Sequence, residues 1–142
     1  LPFMKILLLN LPRDGAILYN FTPQYVSNDF QNYPPLGLLA IAADVDPKHE
    51  LQLLDAASKG LSIAEAVAAV IAFKPDVLGI SVLTWFLYPM SEITRSVKAL
   101  MPEIRIVTGG PHVDSYPQEV MALVGFMVFT AALQIRKQFD QQ

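Results

Sequence analysis

The chain has 142 residues, 53% of them apolar and only 16% charged, with a net charge of −3 and no cysteine. That length suits one domain with a core of its own. The missing cysteines exclude disulfides, thiolate metal sites, iron–sulfur clusters and cysteine nucleophiles, and the lack of any Lys/Arg cluster argues against a nucleic-acid partner.

Typical domains are about 45–50% apolar and about 25% charged, so this chain wants much of itself buried, as in a parallel sheet covered on both faces. No signal-peptide pattern opens it. Met4 reads as a natural start behind Leu1-Pro2-Phe3, and a cytoplasmic location is expected. Lys5–Asn10 is a short apolar run bounded by polar residues and Pro12, which reads as a buried strand. Residues 11–34 follow, rich in Asn, Pro and aromatics. Structureless loops beyond about 12–15 residues are uncommon in compact domains and usually functional or disordered. Tyr19, Phe21, Tyr25, Phe30 and Tyr33 argue against plain disorder.

Pro35 suits the first position of a helix, where its missing N–H costs nothing. Leu36, Leu39, Ala40 and Ala43 form a stripe, and Gly37, Ala40, Ala42 and Ala43 keep the helix slim against a sheet. Asp46-Pro47 ends it. Glu50–Asp55 is the second strand, with Asp55 at its carboxyl end. Ser62-Ile63-Ala64-Glu65 has the form of a capping box. The helix it opens runs to about Lys74 and is stopped by Pro75. Residues 77–82 form the third strand. A helix over 91–101 carries Ile93, Val97 and Leu100 at helical spacing and ends at Pro102. Residues 104–108 form the fourth strand, which stops in Gly109-Gly110. Pro117 opens a helix through about Leu123, residues 124–129 read as a fifth strand, and residues 131–139 as a terminal helix.

Strands alternating with helices imply parallel pairing with right-handed crossovers. The expected fold is α/β: a single doubly wound, mainly parallel sheet, Rossmann-like and of flavodoxin-type order, with helices on both faces. Its ligand edge is the carboxyl edge, near the ends of strands one and three. The longest uncharged run, 120–135, has 16 residues. A spanning helix needs about 20, so a core helix and strand are favoured over a membrane span.

Few residues here are suited to catalysis. His49 falls on the amino edge and reads as a solvated loop residue. His112 follows Gly109-Gly110 on the ligand edge, where a neutral surface histidine is the default. Asp14, Asp29, Asp55 and Asp114 are placed near the carboxyl edge, where a receiver domain clusters acids around magnesium. Strand one ends in Asn10, however, and strand three in Ser81, which weakens that reading. Leu11-Pro12-Arg13 is no flavin phosphate loop, and neither G-x-G-x-x-G nor a Walker loop occurs. Ser81 in an apolar strand has the bland role of bonding to nearby backbone. Thr84-Trp85-Phe86 can be loop and core, and Gly109-Gly110 a tight turn. Taken together at one edge, they suggest a slot for a bulky cofactor tail, since Gly lets a ligand or backbone approach closely.

Four segments in order carry a resemblance: Pro34-Pro35-Leu36-Gly37-Leu38-Leu39-Ala40, Leu53-Leu54-Asp55-Ala56, Pro75-Asp76-Val77-Leu78-Gly79-Ile80-Ser81 and Val107-Thr108-Gly109-Gly110-Pro111-His112. From Met4 to Leu123 the chain resembles the N-terminal cobalamin-binding domain of cobalamin-dependent radical S-adenosylmethionine (radical SAM) enzymes. The resemblance implies a Rossmann-like domain that grips the corrinoid with its nucleotide tail buried against the sheet. Ser81, Leu83 and Thr84 would line the tail pocket, Gly109 and Gly110 would let the tail pass, and His112 would flank it. Leu36 and Gly37 would border the corrin. The Asp-x-His-x-x-Gly pattern whose histidine binds cobalt is missing, so no metal ligand is expected from the chain. The Gly-Glu-Gly-Glu turn that the family places after the fifth strand is missing too. No radical domain or cluster cysteines accompany this sequence, which would make it a fragment, a truncated product or a stand-alone module.

The expectation is thus a cobalamin-binding α/β domain over 4–124 with an atypical extension over 125–142, without catalytic activity alone. A radical SAM partner domain or chain would supply the reaction, and the apolar 120–135 run would hold a homodimer. The alternative is a cofactor-free signalling or interaction module of the same fold. A third reading is a degraded domain that dimerises through its apolar end.

Overall fold

The computed structural model describes residues 2–17, 23, 33–124 and 129–130. Four full strands, β1 (Lys5–Asn10), β2 (Glu50–Asp55), β3 (Val77–Ser81) and β4 (Arg105–Gly109), and the two-residue β5 (Phe129–Thr130) pair in the order β2-β1-β3-β4-β5. Every pairing is parallel. This is the doubly wound, flavodoxin-type order expected from the sequence. The helices are α1 (Leu36–Asp44), α2 (Ile63–Phe73), α3 (Leu87–Leu100), α4 (Pro111–Ser115) and α5 (Pro117–Val124), with a 3₁₀ turn at Thr84–Phe86 before α3.

Alternation along each strand sorts side chains onto two faces. Leu7, Leu9, Leu78, Ile80 and Ile106 point to one face. There they join Ala66 and Val70 of α2, Met90, Ile93 and Val97 of α3, Val113 of α4 and Val120 of α5 in one buried core. The opposite face carries Leu8, Gly79 and Val107, one register row across three strands. Helix α1 lies against β1 and β2 and buries only Leu38. Among the described residues, β3 and β4 therefore keep a half-open face beyond α1, where Val77, Gly79, Ser81, Val107 and Gly109 are all only half-buried.

Local chemistry sets the element ends. At α2, Ser62 Oγ accepts from the Glu65 N–H at 3.1 Å and Glu65 Oε2 accepts from the Ser62 N–H at 2.8 Å, the reciprocal capping box. Lys74 closes the helix in the left-handed region at φ 55, and Pro75 follows. Helix α3 starts four residues before the sequence-based start, at Leu87 instead of Ser91. Pro89 falls in its first turn, where no intrahelical N–H is needed, so it does not delay the helix. Pro35 is the residue before α1 instead of its first helical position. Strand β4 sits one residue later than expected, and the short helix α4 was not expected. Helix α5 continues through Val124, which was expected to open the fifth strand; β5 is described at Phe129–Thr130, and residues 125–128 lie outside the described residues. The terminal helix expected over 131–139 and most of the 11–34 connection lie outside the described residues.

His49 is on the amino edge as expected, but it is not a solvated loop residue. It is half-buried, and its Nδ1 accepts a hydrogen bond from the Met4 N–H at 3.2 Å. No helix among the described residues is long and apolar enough to cross a membrane.

Candidate corrinoid site at the carboxyl edge

The strand registers place Asp55, Asn10, Ser81 and Gly109 in one transverse row at the carboxyl ends of β2, β1, β3 and β4. The row before it holds Leu53, Leu8, Gly79 and Val107 on the same face. Gly79 sits under Leu8: a Cβ on Gly79 would stand 2.7 Å from Leu8 Cδ2. Leu8 thus covers Gly79, and the small residues at 81 and 109 leave a low strip over the ends of β3 and β4. A Cβ placed on Gly109 would meet no atom of the described residues within 4 Å.

Gly110 has a different task. Its φ is +103, outside the range of ordinary L residues, and a Cβ there would lie 2.9 Å from the Val82 carbonyl oxygen and 3.1 Å from Ser81 Oγ. The backbone of Val82, just past the end of β3, occupies the side that a side chain would need. Two hydrogen bonds tie this junction: the Val82 N–H donates to the Gly109 carbonyl at 2.8 Å, and the His112 N–H donates to the Val82 carbonyl at 3.3 Å. The ends of β3 and β4 are therefore held as one unit, with Pro111 opening α4 directly after it.

Ser81, Leu83, Thr84, Gly109, Gly110 and His112 all gather at this junction. Leu83 is half-buried and precedes the 3₁₀ turn, while Thr84 opens that turn and is exposed. Leu36 and Gly37 open α1, which the topology starts at the same edge, and both are exposed. His112 is not the surface residue of the default reading, being only 4% exposed. Its Nδ1 lies 3.0 Å from Thr84 Oγ1. Its Nε2 lies 3.4 Å from Glu119 Oε2, at ion-pair range but without hydrogen-bond alignment. The Tyr116 ring lies against the imidazole at 5.4 Å. Sequence reasoning missed Glu119 and Tyr116. Their signal was present as the helical i, i+4, i+7 spacing from His112, obscured by Pro117.

Two of the acids expected on this edge serve the fold, while Asp29 lies outside the described residues. Asp55 Oδ1 accepts from Asn10 Nδ2 at 2.8 Å and from the Ser58 N–H at 3.2 Å. Asp14 Oδ2 accepts from the Ile63 N–H at 2.9 Å, at the start of α2. No group of His, Asp or Glu side chains suited to a metal ion occurs among the described residues.

Residues 25–134 match the family model of the B12 binding domain. The chain belongs to the B12-binding domain family. Cobalamin is its cofactor, and among the described residues a β-carbon on Gly109 meets no neighbour, which fits a bulky ligand passing there. Over 118 residues this B12-binding domain is 30% identical to an uncharacterized methyltransferase of Pyrococcus horikoshii. The match takes in 83% of this chain and 24% of that protein, so the chain spans about a quarter of its relative's length. The fold is similar to the crystal structure of a cobalamin-binding protein from Desulfitobacterium hafniense, with a TM-score of 0.56, 22% identity, and coverage of 96% of this chain and 58% of that one.

Proposed function

We propose that this B12-binding domain holds the corrinoid with its nucleotide tail along the Ser81–Gly109 strip and serves as the cofactor module of a radical SAM-type methyl-transfer system. The β-carbon position of Gly109, without a neighbour among the described residues and in register with Ser81, carries the reading. Leu83, Thr84, Gly110 and His112 frame the strip, and Leu36 and Gly37 border the corrin. When bound, the cofactor supplies a cobalt centre able to carry a methyl group or an electron; the protein supplies position and environment. Neither histidine is assigned to cobalt. His49 is on the amino edge with Nδ1 taken by the Met4 N–H, and His112 Nδ1 faces Thr84.

A methyltransferase relative of which the match covers only 24% supports a division of labour, with the reaction carried out by a partner domain or chain. The same proposal takes residues 4–124 as the binding unit and 125–142 as an extension that joins two copies in a homodimer, in the cytoplasm. The test is to incubate the purified chain with hydroxocobalamin and pass it through a desalting column. A protein fraction that keeps the corrinoid's visible absorbance supports the module. Methyl transfer by the chain alone, with no partner added, refutes the division of labour.

A further inference from the structure

We infer that His112 and Glu119 fix the direction of the Thr84 hydroxyl, so that Thr84 presents only acceptor lone pairs to the bound corrinoid and pairs with a donor on it, an amide N–H or a sugar hydroxyl. The inference rests on the cobalamin reading above. His112 is almost fully buried, and its base is pinned because its own N–H donates to the Val82 carbonyl. Each ring nitrogen therefore has one polar neighbour: Thr84 Oγ1 at 3.0 Å from Nδ1, and Glu119 Oε2 at 3.4 Å from Nε2, a contact without hydrogen-bond alignment that a small swing of the half-exposed Glu119 side chain would complete. Tyr116 packs on the ring and offers neither nitrogen a carboxylate or an amine. A neutral imidazole has one N–H and one lone pair, whereas an ionised carboxylate only accepts.

The proton of the ring consequently sits on Nε2, toward Glu119, and the bare lone pair of Nδ1 faces Thr84. Thr84 has a single hydroxyl proton, and Nδ1 takes it. Thr84 is exposed at the carboxyl edge, so its oxygen lone pairs remain accessible there. His112 is thus a positioning residue that acts through Thr84 and does not itself touch the cofactor. The outermost member of the relay, Glu119, is half-exposed and joins α5 to the site.

The chain has only two histidines, so selective ¹⁵N labelling of histidine gives two imidazoles, which a His49→Gln variant assigns. The expected spectrum of the unmodified, cofactor-free chain shows His112 as the Nε2–H form with a bare Nδ1. A predominant Nδ1–H form overturns the assignment. Glu119→Gln removes the acceptor-only partner and should let both forms appear.

A hydroxocobalamin affinity cycle reads the second half. Thr84→Val and His112→Asn should each weaken binding about three- to tenfold, the worth of one hydrogen bond, Thr84→Ser should retain affinity, and the double variant should be no weaker than the worse single one. Losses that multiply in the double variant would place His112 on the cofactor or in a purely structural role, and so overturn the relay. Should His112→Asn not fold, Glu119→Gln takes its place in the cycle. No binding by the unmodified chain would sink the cobalamin reading and with it the acceptor role of Thr84, while the ring tautomer is read without any cofactor.

Discussion

Gly109 and Gly110 are neighbours in the chain, yet the backbone asks different things of them. Gly110 holds φ at +103 with the Val82 backbone under 3 Å from where a β-carbon would stand. Gly110→Ala should therefore destabilise the cofactor-free protein by about 1–3 kcal/mol, the usual cost of forcing a non-glycine residue into such a conformation. Gly109→Ala meets no neighbour among the described residues and should leave stability within about 0.5 kcal/mol of the parent. Urea unfolding of the two variants checks both, and equal midpoints would contradict the assignment of Gly110 to the backbone. The sequence revealed the pair but not its division of labour. A glycine's reason for being there depends on which strand lies beside it, and that is set by the crossover from β3 to β4. The burial of His112 was hidden for a like cause. Its cover comes from Tyr116 and Glu119 beyond Pro117, a residue that reads as a break between helices.

Elements with local punctuation were legible in the sequence. The capping box at Ser62 and Glu65 was read from four residues and is present with both hydrogen bonds. Ser62→Ala should cost about 1 kcal/mol of stability. Glu65 accepts the Ser62 N–H, and that bond holds its carboxyl below its ordinary value of 4.5. A depressed folded-state pKa contributes stability above the unfolded value, lost as pH falls through the folded one. The stability difference between the parent and Glu65→Gln should be present at pH 7 and shrink as the solution is acidified below the usual carboxylate range. A difference that grows in acid would reverse the sign and contradict the cap. Element starts governed by tertiary packing were less legible. Helix α3 includes Pro89 in its first turn, and its start is set by the 3₁₀ turn at Thr84–Phe86 that follows the end of β3. Helix α4 is one turn long, too short for periodicity to reveal.

At the scale of the molecule, the two faces of the sheet are unequal. One is packed by α2, α3, α4 and α5 into a continuous core. On the other, α1 is apolar nearly all round and leaves Leu36 72%, Leu39 44% and Ile41 53% exposed among the described residues. This exposed apolar face, with the uncharged run 120–135 of the sequence, favours the proposed homodimer, since a monomer rarely shows a large apolar patch to water. Sedimentation at micromolar concentration should give a dimer, and a clean monomer would refute the homodimer. The parallel order was legible because alternating apolar runs and helices leave few topologies once crossovers are right-handed. The strip follows from that order, since adjacency of β1, β3 and β4 is what lines up Asn10, Ser81 and Gly109. The central claim is that the corrinoid tail occupies the space above Gly109, and titration with hydroxocobalamin, followed by visible absorbance for the parent and Gly109→Val, tests it most directly. The account predicts saturable binding by the parent and, in a variant that still unfolds cooperatively, affinity about tenfold lower or worse, as overpacking of 1–3 kcal/mol implies. A folded Gly109→Val protein that binds as tightly as the parent would contradict it.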